Sequence, residues 1–206
     1  MQFLLNNCVI KVSSLSEKAL FFRQWLKTPL KLGAVAPSSK ALSAFVAKCL
    51  LEDSQNFLDN GEIIVEIGAG TGAFTEALLK AGLPKHQLIA IEMDPYLCAY
   101  LKKRLPGIKI LCGDAQNLPG LLEKRNNKGI GAILSGIPMI SIPETVRTTI
   151  VRSAFHVLPK SGKFYQFTYS PFSSIPIKHL QLKKKRRGTI LMNLPPATLW
   201  SYQRAA

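Results

Sequence analysis

Residue types that carry metal and redox chemistry are scarce in this chain. Four cysteines (Cys8, Cys49, Cys98, Cys112) and three histidines (His86, His156, His179) are scattered, with no close pair and no metal-ligand spacing. No metal site and no disulfide framework is therefore expected, and a reducing, cytoplasmic setting is the default. Long apolar runs are missing too: none approaches the roughly 18 residues that cross a bilayer. The opening Met1-Gln2-Phe3-Leu4-Leu5 is too short for a signal core and has no basic lead, so export is not expected.

Acids are the scarcer charge. Twelve Asp and Glu stand against 27 Lys and Arg, a net charge of +15 over 206 residues. The imbalance sits at the two ends. Residues 1–50 hold seven basic residues and one Glu, and residues 175–206 hold seven basic residues and no acid. The stretch between them is nearly neutral. Two basic ends around a neutral middle point to a polyanionic partner, either nucleic acid or an acidic membrane surface.

What the chain does have is a glycine motif. The β-branched run Ile63-Ile64-Val65-Glu66-Ile67 leads into Gly68-Ala69-Gly70-Thr71-Gly72 and then a helical segment. Glycines let the backbone approach a ligand that any Cβ would block, and the helix behind them points free N–H groups at it. This is a nucleotide-type cofactor site at the end of a first parallel strand. Gly68-x-Gly70-x-x-Ala73 satisfies the loose dinucleotide fingerprint. Glu66 and Gly72 extend it to Glu-x-Gly-x-Gly-x-Gly, which resembles the first motif of class I S-adenosylmethionine-dependent methyltransferases. Two further strands end in acids. Gln87–Glu92 ends in Glu92, suited to ribose hydroxyls and followed by Met93. Ile108–Gly113 runs into Asp114-Ala115, which looks like the acid that holds the adenine amine in methyltransferases.

Periodicity predicts helices over 38–51, 72–81, 95–104, 117–125 and 143–157. Strands are expected over 63–67, 87–92, 108–112, 130–135 and 162–169. The alternation is that of a doubly wound parallel α/β sheet. Short tail strands over 189–193 and 199–203 would complete a seven-stranded, Rossmann-like class I methyltransferase sheet with helices on both faces. Two parts are expected: an N-terminal docking segment, 1–36, and a methyltransferase domain, 37–206. On a helical projection of the first part, Leu15, Ala19, Phe22, Leu26 and Leu30 form one stripe, widened by Phe21 and Trp25. Arg23, Lys27 and Lys31 lie opposite. A basic face against an aromatic-rich apolar face is the composition of a helix lying in a membrane interface, or of one packed on the domain. The run Lys183-Lys184-Lys185-Arg186-Arg187 is a second cationic element. It would attract lipid headgroups or RNA alike.

The fourth strand discriminates between acceptors. Methyltransferases of adenine and other planar amines place Asn/Asp-Pro-Pro-Tyr or a close variant after it. This chain has Ser135-Gly136-Ile137-Pro138-Met139, keeping a proline and losing both the amide and the stacking ring. A flipped nucleobase is disfavoured and a smaller amine favoured. Gln55-Asn56-Phe57-Leu58 matches a segment of ribosomal RNA adenine dimethyltransferases, but lies too close to Glu66 for their layout.

The chain as a whole resembles the bacterial phospholipid N-methyltransferases of the soluble, membrane-associating class I type. The matching segments are Phe22-Arg23-x-Trp25-Leu26 with Pro29-Leu30; Gly33-Ala34-Val35-Ala36-Pro37-Ser38-Ser39; the glycine motif; Ser135–Met139; Phe164-Tyr165-Gln166-Phe167-Thr168-Tyr169; and Asn193-Leu194-Pro195-Pro196-Ala197. The resemblance implies methylation of phosphatidylethanolamine toward phosphatidylcholine, by a protein held peripherally on the inner face of the cell membrane. It implies S-adenosylmethionine contacts at Glu66, Gly68, Ala69, Gly70, Gly72, Glu92, Met93, Asp114 and Ala115. Carbonyls of Ser135, Gly136 and Ile137 would orient the amine. Tyr169 or Glu144 is a candidate to assist proton loss, and Tyr165 and Tyr169 are candidates to reach the lipid phosphate. The rival readings are an RNA methyltransferase and a non-catalytic lipid- or RNA-binding protein of the same fold.

Overall fold

The computed structural model describes residues 40–123, 129–177, 179–191 and 196–205. The 1–36 segment, with Phe22, Arg23, Trp25, Lys27 and Lys31, lies outside them. Seven strands form one sheet: β1 (Ile63–Ile67), β2 (Leu88–Glu92), β3 (Lys109–Cys112), β4 (Ile130–Ser135), β5 (Lys163–Thr168), β6 (Leu182–Ile190) and β7 (Ala197–Arg204). Their order is β3-β2-β1-β4-β5-β7-β6. β1 to β5 pair in parallel and β7 runs antiparallel to both β5 and β6. β1, β2 and β4 are buried along their whole length, as strands covered on both faces must be.

Five α-helices are described: α1 (Lys40–Asp59), α2 (Ala73–Lys80), α3 (Pro95–Arg104), α4 (Leu118–Leu122) and α5 (Glu144–Val157). Two apolar layers result. On one face Leu42, Val46 and Leu50 of α1 meet Leu78 of α2 and Ile64, Leu134 and Tyr165 of the sheet. On the other, Leu118, Leu122, Ile150 and Val151 of α4 and α5 pack on Val65, Ile133 and Phe164. Among the described residues no helix is long and apolar enough to cross a membrane.

α1 runs eight residues past the expected end at Leu51. Glu52-Asp53-Ser54-Gln55 reads as a polar stop, yet Ser54 is buried and Asp53 is drawn inward. The Tyr165 hydroxyl donates to Asp53 at 2.8 Å, Arg187 donates at 2.6 Å, and Lys163 lies 3.8 Å away. The tail strands also differ from expectation. The edge strand β6 begins at Leu182 rather than at residue 189, and so takes in the basic run. An edge strand has one neighbour only, and exposed lysines on it deter pairing with other chains. Lys183, Lys184, Lys185 and Arg186 are exposed, with Lys184 over the Trp200 ring at 5.0 Å.

Candidate active site

Every cofactor candidate falls at the carboxyl end of a parallel strand. β1 ends at Ile67 and the chain turns through Gly68, where φ is +68° and an added Cβ would lie 2.5 Å from Cγ1 of Ile137. The loop after β4 presses back as closely: a Cβ on Gly136 would sit 2.5 Å from the Gly68 carbonyl oxygen. The two loops therefore meet backbone to backbone, and neither tolerates a side chain there. Gly136 N–H donates to the Ile67 carbonyl at 2.8 Å, Gly68 N–H to Ile91 at 2.8 Å and Ala69 N–H to Ile91 at 3.2 Å.

Glu92, at the end of β2, is buried. Its carboxylate accepts N–H groups from Gly70 (2.8 Å), Met93 (2.8 Å) and Asp94 (3.0 Å). Burial pushes its pKa up, against these hydrogen bonds. Three donors leave lone-pair capacity for a hydroxyl. Asp114 accepts the Gln116 backbone N–H at 2.9 Å and its side-chain amide at 2.8 Å. Glu66 is fully buried beneath the glycine loop. Thr75 donates its hydroxyl to Oε2 at 2.6 Å, while Oε1 has no partner. Desolvation raises the Glu66 pKa to about 8, so the folded site holds it protonated near neutrality.

Glu92 and Asp114 open onto a cavity of about 530 Å³, whereas Glu66, Ala69, Gly70 and Gly72 do not line it. Gly68, Glu92, Met93, Asp114 and Ala115 form one wall. Ile137, Ile140, Ile142, Val146 and Ile150 form the other, an apolar wall from the loop after β4 and from α5 that the sequence patterns did not reveal. A mostly apolar concavity with a few convergent polar groups is the usual form of a ligand site. Among the described residues no group of three or more His, Cys, Asp or Glu is placed to hold a metal.

Three expectations need correction. The Ile137 carbonyl does not face a substrate amine with free lone pairs: it already accepts the Gln166 side-chain amide at 3.0 Å and the Met139 N–H at 2.8 Å. What Ile137 gives the cavity is its side chain. Ser135 is buried, and its hydroxyl accepts the Ile137 N–H at 3.3 Å. Tyr165 cannot reach a lipid phosphate. It is fully buried on the α1 face, bound to Asp53, with its pKa raised by burial and by that carboxylate. Arg187 is not a free surface cation, because Asp53 holds it. Tyr169 follows β5 on the Tyr165 face, edge-on to Phe167 at 5.6 Å. Glu144 opens α5 and is exposed.

Gln166 and Asp53 are the polar residues to which sequence patterns gave no role. Gln166 is buried on β5, donates to Ile137 and to the Phe167 carbonyl at 2.7 Å, and keeps Oε1 unpartnered. Its placement inside the Tyr-Gln-Phe-Thr-Tyr segment was the available signal.

The family described as "Methyltransferase domain" matches residues 64–162, β1 through the turn before β5. The ornithine lipid N-methyltransferase of Singulisphaera acidiphila is 28% identical over 156 residues, covering 74% of this chain and 78% of that protein. Ribosomal RNA small subunit methyltransferase A of Chlorobaculum parvum is 35% identical over 81 residues, but the match spans only 28% of that protein. Among solved structures, a magnesium protoporphyrin IX methyltransferase from Synechocystis PCC 6803 with bound S-adenosylmethionine aligns with TM-score 0.58 at 9% identity. That alignment covers 95% of this chain and 99% of the other. An S-adenosylmethionine-dependent methyltransferase from Anabaena variabilis aligns with TM-score 0.59 at 13% identity, covering 91% and 95%. These likenesses show the Rossmann-like methyltransferase fold. The residues present also fit its cofactor: an orphaned buried oxygen on Glu66, a carboxylate with spare capacity at Glu92, and Asp114 at the next strand end.

Proposed function

We propose that this class I, S-adenosylmethionine-dependent methyltransferase delivers its methyl group to the amine of a lipid headgroup. One observation carries the choice of acceptor. The wall facing the cofactor contacts is built of Ile137, Ile140, Ile142, Val146 and Ile150, and the loop that forms it offers neither a side-chain amide or acid nor an aromatic plane. Such a wall suits glycerol-backbone and acyl surface, and lacks what would stack and hydrogen-bond a flipped base. Phosphatidylethanolamine is the first acceptor. Ornithine lipid is the second, favoured by the relative that matches over most of its length.

Within the site, Glu92 would hold the cofactor's ribose, Asp114 its adenine, and the Gly68–Gly72 loop with Glu66 its amino-acid end. When bound, S-adenosylmethionine supplies an activated sulfonium methyl for in-line transfer. The chain's own residues supply alignment. Gln166 fixes the Ile137 carbonyl, which with the Gly68–Gly136 contact fixes the loop over the cavity. An ammonium cannot attack, so the headgroup nitrogen must lose a proton first, to solvent, since neither Tyr169 nor Glu144 lines the cavity. The apolar wall lowers the local dielectric, which favours the neutral amine.

The test is incubation with methyl-labelled S-adenosylmethionine and, separately, phosphatidylethanolamine vesicles, ornithine lipid vesicles and total RNA. Label in either lipid extract is the expected result, and which lipid takes it decides between the acceptors. Label in RNA alone refutes the reading, and label in none despite cofactor binding favours a non-catalytic binding protein.

A further inference from the structure

Exposed large apolar side chains are not scattered over this molecule. Five are described, and four of them follow the carboxyl end of a strand: Tyr96 after β2 (69% exposed), Ile140 after β4 (54%), Phe172 after β5 (77%) and Leu191 after β6 (77%). β6 runs parallel to β5, since both are antiparallel to β7, so all four strands end on the same edge of the sheet. That is the edge on which the cavity opens, and Ile140 both lines the cavity and stands exposed at its mouth.

Composition marks the same edge. The stretches 136–143, 169–177 and 188–191, which carry Ile140, Phe172 and Leu191, contain no charged residue in a chain that is 19% charged, and the connection after β5 has its one charge at Lys178. Exposed loops without charge or an apolar partner are costly to keep in water and mark interaction surfaces. The densest run of exposed cations lies elsewhere. Lys183, Lys184 and Lys185 sit at the opposite end of β6, beside Gln203, Tyr202 and Ser201 of β7. At roughly 3.3 Å per residue, Lys183 is about 25 Å along the strand from Leu191. A Debye length in physiological salt is about 8 Å.

We infer that the uncharged rim carrying Ile140, Phe172 and Leu191 is a bilayer-docking surface. It inserts into the headgroup region of an anionic membrane and seats the cavity mouth directly on the lipid. This deepens the lipid-amine reading and rests on it. The orientation excludes the alternative suggested by the basic run, in which the molecule lies on its β6 edge with Lys183–Lys185 against the lipid. Mouth-down, those lysines stand two or more Debye lengths above the surface and act only as weak long-range attraction. Charge also selects the occupant. A second copy would bring another +15 against this one, whereas an anionic leaflet is attracted to it. The geometry serves the reaction, because a headgroup amine has to rise only from the interface into the mouth.

The test uses full-length protein and vesicles of phosphatidylglycerol with phosphatidylethanolamine, with no cofactor present. Phe172→Asp combined with Leu191→Asp, neither of which lines the cavity, is expected to lower vesicle affinity at least tenfold in sedimentation. Its S-adenosylmethionine affinity by calorimetry should be unchanged. Lys183→Glu, Lys184→Glu and Lys185→Glu together should lower vesicle affinity less than threefold. Phe172→Trp should shift its emission to shorter wavelength on adding vesicles. Unchanged affinity in the Asp variant, a larger loss in the Glu variant, or no shift from the Trp variant overturns the inference. So does an Asp variant that turns a dimer into a monomer while vesicle affinity stays the same. Because no turnover is involved, rim-dependent vesicle binding with no label in any lipid would sink the substrate reading alone. Label in lipid with rim-independent binding would sink only the docking surface.

Discussion

Glu66 illustrates how burial assigns one residue a state that its type alone does not reveal. It lies on the face of β1 opposite Val65 and Ile67, under the glycine loop, where the Thr75 hydroxyl donates to it. Burial raises its pKa from 4.5 to about 8. The sign follows from linkage: the folded state binds the proton more tightly than the unfolded state does. The stability from the neutral acid is therefore fully present below about 4.5 and is lost as pH rises toward 8. Glu66→Gln keeps the shape and removes the titration. In calorimetric melts without cofactor, wild type and variant should agree near pH 5. The variant should become more stable by on the order of a few kcal/mol at pH 8.5. A constant difference across that range would mean that Glu66 does not titrate as its burial implies.

At the scale of elements, the contacts of Asp53 explain which parts of the fold were legible. β1, β2, β4 and α3 have the expected bounds to within a residue, because continuous β-branched runs and the Asp94-Pro95 start of α3 are local signals. The last eight residues of α1 and β6 up to Gly188 were not legible. α1 continues through a polar tetrad because Asp53 finds Tyr165, 112 residues away, and Arg187, 134 residues away. No local window contains that information. The strand ends bearing Glu92 and Asp114 were legible, whereas the apolar wall from Ile140 to Ile150 was not, since it forms only when α5 folds back over the β4 loop. The same contacts give a stability prediction. Asp53→Ala strands a mostly buried guanidinium and a buried hydroxyl, and should cost about 2–4 kcal/mol. Tyr165→Phe removes one hydrogen bond and should cost about 1 kcal/mol. Lys184→Ala, on the exposed side of β6, should stay within about 0.5 kcal/mol. Urea midpoints of the three variants give the ranking. Equal losses for Asp53→Ala and Lys184→Ala would show that the clamp contributes nothing.

For the whole molecule, charge and shape act at different ranges. The net charge of +15 draws the protein toward an anionic surface from a distance, and the uncharged rim sets how it sits on contact. Arg23, Lys27 and Lys31 belong to the long-range part, on the basic face expected of the 1–36 segment. Reversing the three to Glu lowers the net charge by two units at each position, and places acids where an anionic leaflet would repel them. Sedimentation with anionic vesicles in about 0.1 M salt should then be abolished, while affinity for S-adenosylmethionine, whose proposed contacts lie between Glu66 and Ala115, should stay that of the wild type. Raising salt separates the two ranges further. Exposed charges are screened within about 3 Å at 1 M, so wild-type binding that survives there reports the apolar rim, and binding lost there reports the cations. If the reversed variant sediments like the wild type at low salt, the N-terminal cations have no part in docking, and the rim must both find the membrane and hold it.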